Sequence, residues 1–395
     1  MGDTKMSSEE RIGRAILGGV PDRVPSIPKI WVDLAAKLTG TDLRAVIEDP
    51  LLALRVIAEA GLEVGADGAR QFHFPARSTV VEDGVVFEVD RKGNRLGRVD
   101  MEGGLRTYLF DVDDFDIEDP YDMAYNHYWT AEEAFVEDMG DVENIAVPDK
   151  GFYEEIGCGR RQREIMDFVD DRIALIGNLH SATLTFCEEM RGYERSLRDL
   201  VKNPQLVQGM MEKGAEIAIE RGKFNLDLGI KILRLNDSIA NMSAISPKHW
   251  RKFILPQLKN VCDALHDYDR EAKIYCHICG NILPVAEDLL ETGLDCIGPL
   301  DPLGGFSPGD VREVVGDRVS LYGGVNTLSF VNEGPEDIVE EARSCILQAG
   351  KSGGYILGSG CVIPREGLRE NLEALKTAVD KYGVYSEGEL QARGE

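Results

Sequence analysis

Short apolar runs alternate with helix-like segments along most of this 395-residue chain, and that alternation constrains the fold more than any other feature. Runs of strand type begin near residues 24, 66, 172, 231, 273, 294, 319 and 354. Segments with helical spacing separate most of them. These cover Ser8 to Leu17, Asp49-Pro50 to Ala60, 183–201, 204–228, Ser246-Pro247 to about Tyr268, 282–292, 308–315, Pro335 to Ala349 and 365–382. Pro at a first helical position and Gly at a stop mark several of their ends. Strands alternating with helices argue for a parallel sheet. Eight such units fit a closed (β/α)8 TIM barrel better than an open doubly wound sheet, and no G-x-G-x-x-G follows the first run. The first run, Val24 to Ile30, carries Pro25 and Pro28 and is a poor central strand in isolation.

One region breaks the pattern. Within about 76–160, Thr79-Val80-Val81, Val85 to Val89 and Thr107 to Phe110 read as short strands joined by turn residues at Asp83-Gly84 and Arg91 to Asn94. The expectation is a single (β/α)8 barrel domain over 1–395, with an N-terminal extension and an antiparallel hairpin insert.

The formal net charge of −26 disfavours nucleic acid and anionic membrane as partners. No apolar run approaches the roughly 20 residues of a membrane helix, and no leader segment is visible. A cytoplasmic location is expected, with the eight cysteines mostly reduced.

The stretch Lys273 to Gly280 carries the most chemistry. In a strand, residues two apart share a face, so His277 and Cys279 present an imidazole beside a thiol. Zinc favours both ligand types. Cys361 ends a second strand-like run in the glycine-rich setting Gly358-Ser359-Gly360. In a barrel, all three lie at strand ends on the C-terminal face, where active sites form. Three protein ligands and one open position are the pattern of catalytic zinc. The alternative is ordinary buried cysteines. Cys276 and Cys279 also have redox spacing, but residues three apart on a strand face opposite sides. Other polar strand ends are Asp67, Arg70, Asn178, His180, Asn236, Asp237, Asp301 and Asn326. For each of these, a loop-capping role is the competing reading.

Several segments resemble the uroporphyrinogen decarboxylase superfamily: Arg14 to Pro25, Arg191-Gly192-Tyr193-Glu194 with Asp199 and Asn203-Pro204, Ser246-Pro247 with Phe253 and Pro256, and Gly323-Gly324-Val325-Asn326. The resemblance covers most of the chain except about 76–160 and implies a (β/α)8 barrel. Decarboxylases of the family carry an arginine-rich segment after the first strand that grips substrate carboxylates, whereas Pro28 to Asp33 holds no arginine here. The other branch is that of the methylcobalamin:coenzyme M and related corrinoid-system methyltransferases. It is similar in its His-x-Cys and distant Cys, which bind zinc, and His277, Cys279 and Cys361 match these in turn.

The resemblance therefore implies a zinc-dependent methyltransferase working with a corrinoid protein. Its small substrate would be a thiol or a methyl ether such as a methoxylated aromatic, as an O-demethylase would use. His277, Cys279 and Cys361 are the catalytic and metal candidates. Asp67, His180, Asp237 and Asn326 are the candidates for substrate contact, with Asp237 also a candidate fourth ligand. A homodimer is compatible with this reading. The rivals are a tetrapyrrole decarboxylase, which needs no metal, and a non-catalytic zinc- or corrinoid-binding module.

Overall fold

The computed structural model describes residues 6–391 apart from 74, 94, 100, 102–114 and 126–133. Its centre is a parallel sheet of seven strands: β1 (Gly68–Gln71), β5 (Ala174–Ser181), β6 (Ile232–Asn236), β7 (Lys273–His277), β8 (Cys296–Leu300), β9 (Ser320–Val325) and β10 (Tyr355–Ser359). They pair in chain order, each parallel to the next. The segment 24–28 closes the gap between β10 and β1. The Ile27 N–H donates to the Leu357 carbonyl at 2.8 Å, and the Leu357 N–H donates to the Pro25 carbonyl at 2.9 Å. On the other side, the Asp67 N–H donates to the Ser26 carbonyl at 2.8 Å. Pro25 and Pro28 have no N–H, so this eighth wall is a bridge at Ser26 rather than a full ladder. The expected TIM-type barrel is therefore present, with its weakest strand where the prolines fall.

Helices cover the outside, among them Pro50–Glu63, Pro204–Asp227, Leu255–Tyr268, Pro335–Ala349 and Arg369–Tyr382. Three expected helices differ in detail. The 183–201 segment is two helices, Leu184–Arg191 and Tyr193–Lys202, broken at Gly192, whose φ is 78°. The helix from Ser246 contains a π turn at Trp250–Ile254, directly before Leu255-Pro256. Pro256 offers no N–H and its ring crowds the carbonyl four residues back, so the turn widens. The 282–292 segment is two short 3₁₀ turns, Leu283–Val285 and Asp288–Thr292. Helices Val32–Thr39 and Leu43–Glu48 lie in a stretch the sequence left unassigned.

The insert contains β2 (Ser78–Glu82), β3 (Val85–Val89) and β4 (Arg95–Arg98) as an antiparallel sheet. The third strand therefore starts directly after the Arg91 to Asn94 turn. The strand expected at 107–110 lies outside the described residues. A C-terminal hairpin, β11 (Val384–Ser386) and β12 (Glu389–Gln391), was not anticipated. Among the described residues, no helix is long and apolar enough to cross a membrane.

The two ends of the barrel differ. The bottom, at the strand starts, is plugged by helix Ser8–Ile16, whose Ile12, Ala15 and Ile16 join Ile27, Ile176, Ile232, Tyr275, Tyr322 and Ile356 in one buried cluster. The other end is the mouth. The insert leaves from β1 on the mouth side and stays there: the Arg365 guanidinium, beyond β10, donates to the Met101 carbonyl at 2.6 Å.

Candidate metal centre at the barrel mouth

Alternation along β7 sets the first ligand. Tyr275 points into the lumen cluster while Ile274 and Cys276 pack outward with the helices, so His277 points inward one layer above Tyr275. Cys279 follows on the loop, its N–H bonded to the Ser238 carbonyl at 3.2 Å. The third side chain arrives because β10 ends flush against the loop after β8. A Cβ at Gly360 would lie 2.8 Å from the Leu300 carbonyl oxygen, so only glycine lets the chain pass there. Cys361 is then fixed from both sides: its N–H donates to Thr327 Oγ1 at 2.9 Å, and its carbonyl accepts from Ser359 Oγ at 2.7 Å.

The three side chains converge. His277 Nε2 lies 2.8 Å from Cys279 Sγ, the two sulfurs are 3.3 Å apart, and Cys361 Sγ is 4.0 Å from Nε2. With metal bonds of about 2.0–2.3 Å, tetrahedral ligand atoms stand roughly 3.3–4 Å apart. The sulfur–sulfur and Cys361–His277 separations lie in that range and the His277–Cys279 contact is shorter, so one imidazole and two thiols converge as a zinc ligand set once His277 and Cys279 part slightly. Of the eight cysteines, Cys279 and Cys361 are half-buried and the other six are buried. The Cys279 thiol and Cys361 share a hydrogen bond, which pulls Cys361 well below the usual thiol range and pushes Cys279 well above it. Burial pushes the His277 imidazole down to about 3, which keeps a neutral ring available as a ligand.

Two buried cations flank this group, and the sequence reading missed both. Lys29, at the end of the first strand segment, is 2% exposed and has Nζ against the His277 ring, 3.0 Å from Nε2. The nearest ring atom to this amine is Nδ1, and Nε2 is the nitrogen turned to the Cys279 sulfur. Arg234, on β6, is 3% exposed and bonds only to amides: Asn178 Oδ1, and Asn236 Oδ1 at 2.7 Å. Its Nε has no hydrogen-bond partner. Among the described residues, neither cation has a carboxylate partner. A signal existed for each. A parallel-sheet strand reads as an unbroken apolar run, and an arginine inside Ile232-Leu233-Arg234-Leu235 or a lysine inside Ile27-Pro28-Lys29-Ile30 breaks that rule.

The four residues expected to touch substrate fare differently. Asp67 is at the wrong end. It directly precedes β1, at the barrel bottom, and its carboxylate accepts from Arg11 and Arg23, both at 2.8 Å, and from the Ser26 N–H at 2.8 Å. All its capacity goes to holding the plug, which rules out substrate contact from the mouth. Asp237 is buried at the mouth end of β6, but its carboxylate is turned to the Thr183 hydroxyl and the Thr185 N–H, the latter at 3.0 Å. Burial pushes it up to about 6. It stands outside the three-residue group, and its link to the centre is its own N–H, which donates to the His277 carbonyl at 2.9 Å. His180 is buried at the end of β5, with its Nδ1 3.1 Å from the Ser181 carbonyl, and burial pushes it down to about 3. Asn326 follows β9 and uses Oδ1 to accept from the Leu328 N–H at 3.0 Å. Its neighbour Thr327 is the residue that touches Cys361.

The uroporphyrinogen decarboxylase (URO-D) family model matches residues 126–382, well over half of the chain. The chain belongs to that family. Among curated family relatives, a methylated-thiol–coenzyme M methyltransferase of Methanosarcina mazei is 26% identical over 255 residues, covering 61% of this chain and 64% of the relative. The methylcobamide:CoM methyltransferase MtaA of Methanosarcina barkeri is 22% identical over 218 residues, covering 55% and 61%. A uroporphyrinogen decarboxylase of Coxiella burnetii is 24% identical over 225 residues, covering 55% and 61%. The chain thus spans less than two thirds of the length of these relatives. A solved methyltransferase from Methanosarcina mazei superposes with a TM-score of 0.70 at 18% identity, over 95% of this chain and 98% of that one, and shares its fold.

Proposed function

We propose that this URO-D family chain is a zinc-dependent methyltransferase of a corrinoid methyl-transfer system, moving a methyl group between a small substrate and a corrinoid protein. The observation that carries this reading is the convergence of His277, Cys279 and Cys361 at the barrel mouth, within 4.8 Å of one another. A decarboxylase has no use for such a set, and Pro28 to Asp33 supplies no arginine to grip substrate carboxylates. The methyltransferases among the relatives support the same branch.

Zinc held by this set would supply Lewis acidity, keeping a substrate thiol deprotonated or polarising an ether oxygen. The chain's own groups do the rest. Thr327 and Ser359 hold the Cys361 backbone, and Asp237 holds the His277 backbone. Arg234 makes the interior beside the centre positive and suits a substrate that carries an acidic group, while burial pushes the neighbouring Lys29 amine well below its usual range. His180 and Asn326 remain the candidates for polar contact at the strand ends. The insert on the mouth side begins before the family match does and favours a bulkier methyl donor, such as a methoxylated aromatic, over a small thiol. The corrinoid protein approaches at the mouth, where Cys279 and Cys361 are half-buried.

The test is methyl transfer between cobalamin and a panel of methoxylated aromatics and thiols, followed by the absorbance change at cobalt. Activity with at least one member, lost in His277→Ala, is the expected result. Failure with every member, together with release of carbon dioxide from a uroporphyrinogen by both proteins, would replace this reading with the decarboxylase.

A further inference from the structure

We infer that Cys279 and Cys361 form a thiol–disulfide switch, in which oxidation by a low-molecular-weight disulfide joins the two sulfurs, releases the metal and closes the centre. The inference rests on the metal-centre reading above and concerns what this sulfur pair does beyond holding zinc.

The two sulfurs come from loops after β7 and β10, 82 residues apart, and meet across the mouth at 3.3 Å. A disulfide needs about 2.05 Å between sulfurs, so the pair has to close by a further ~1.2 Å. The other six cysteines are buried, so an oxidant in solution meets this pair first. Cys276 lies close in sequence but packs outward from β7, on the far side of the strand from His277. The pair is also the whole sulfur content of the candidate centre, so a bond between them leaves His277 as its single remaining ligand.

The step balances in two displacements. One cysteine thiolate attacks a sulfur of the external disulfide, forming a mixed disulfide and expelling one thiolate. The second cysteine thiolate attacks the cysteine sulfur of that mixed disulfide and expels the other. The two protein sulfurs give up two electrons, the external disulfide takes them, and two solvent protons complete the two thiols released. The divalent metal leaves with its charge unchanged.

The zinc-loaded full chain is treated with oxidised glutathione. Zinc release is read with a chromogenic chelator, and the cysteines are mapped by non-reducing mass spectrometry with fragmentation. The expected result is a Cys279–Cys361 crosslink with loss of two hydrogens from the dithiol form, one zinc released per crosslink, and reversal by dithiothreitol plus zinc. In Cys361→Ser the expected product is glutathione held on Cys279 with no crosslink. Three outcomes would overturn the inference: a wild type that stops at the mixed disulfide, a crosslink through Cys276, or intact thiols in both the zinc-loaded and the metal-stripped protein. A crosslink in a protein that never binds zinc would overturn the metal reading and leave the reactive pair standing.

Discussion

The two ends of this barrel treat buried charge in opposite ways. At the bottom, Arg11 binds Asp22 and Asp67, Arg23 binds Asp67 as well, and the carboxylate also takes the Ser26 N–H. Each buried cation there has an anion at hydrogen-bond distance. At the mouth, Lys29 and Arg234 are as deeply buried, yet Lys29 meets an imidazole and Arg234 meets two amides. Paired charge fastens the plug to the strands. A guanidinium buried without an anion, and a lysine amine that burial pushes well below its usual range, store free energy that a ligand can release, which marks the mouth as the end where chemistry happens.

The largest test of this contrast is at the bottom. Asp67→Asn leaves Arg23 without its anion and Arg11 with Asp22 alone, and should cost about 3–5 kcal/mol, read from urea unfolding. The folded fraction should still carry its full metal complement. An equal loss of metal would show that the two ends are not separable.

A smaller effect is expected at the mouth. Arg234→Gln removes an unpaired buried charge, so stability should hold or rise. Binding of 3-mercaptopropionate to the cobalt-substituted protein should weaken about tenfold, while 2-mercaptoethanol, similar in length but uncharged, is unaffected. Loss of stability without loss of this discrimination would make Arg234 a packing residue.

An effect of comparable size is expected in the insert. Glu88 on β3 is fully buried, and burial pushes it up to about 7 despite Arg77 at 3.7 Å. A carboxyl raised in the folded state favours folding at low pH, and that contribution fades as pH rises from about 4.5 to 7. Relative to wild type, Glu88→Gln should therefore be neutral at pH 4.5 and more stable by about 1–3 kcal/mol at pH 8. A pH-independent difference would contradict the burial argument.

The sequence made the strand–helix alternation, and with it the barrel, readable because parallel strands are continuous apolar runs. Period two was enough to put His277 and Cys279 on one side, and the barrel rule brought in Cys361. Which end of a strand a polar residue occupies was much less readable. The run from Gly65 to Phe72 looks like one strand, but β1 starts at Gly68, and that offset moves Asp67 from the mouth to the bottom. Asp237 is at the correct end, but its direction depends on Thr183 and Thr185, residues of the neighbouring loop that no local pattern links to it. Lys29 and Arg234 were visible as charges inside apolar runs. Their meaning appears only when neighbouring strands show that, among the described residues, no carboxylate pairs with them at ion-pair distance.

Metal content of the purified protein, wild type beside Cys361→Ala, tests the central claim most directly. About one zinc per chain in wild type, with little or none in a folded Cys361→Ala variant, is the expected result. Zinc-free wild type that also fails to take up added zinc, or a variant that keeps its zinc, would contradict the three-residue centre and the methyltransferase reading built on it.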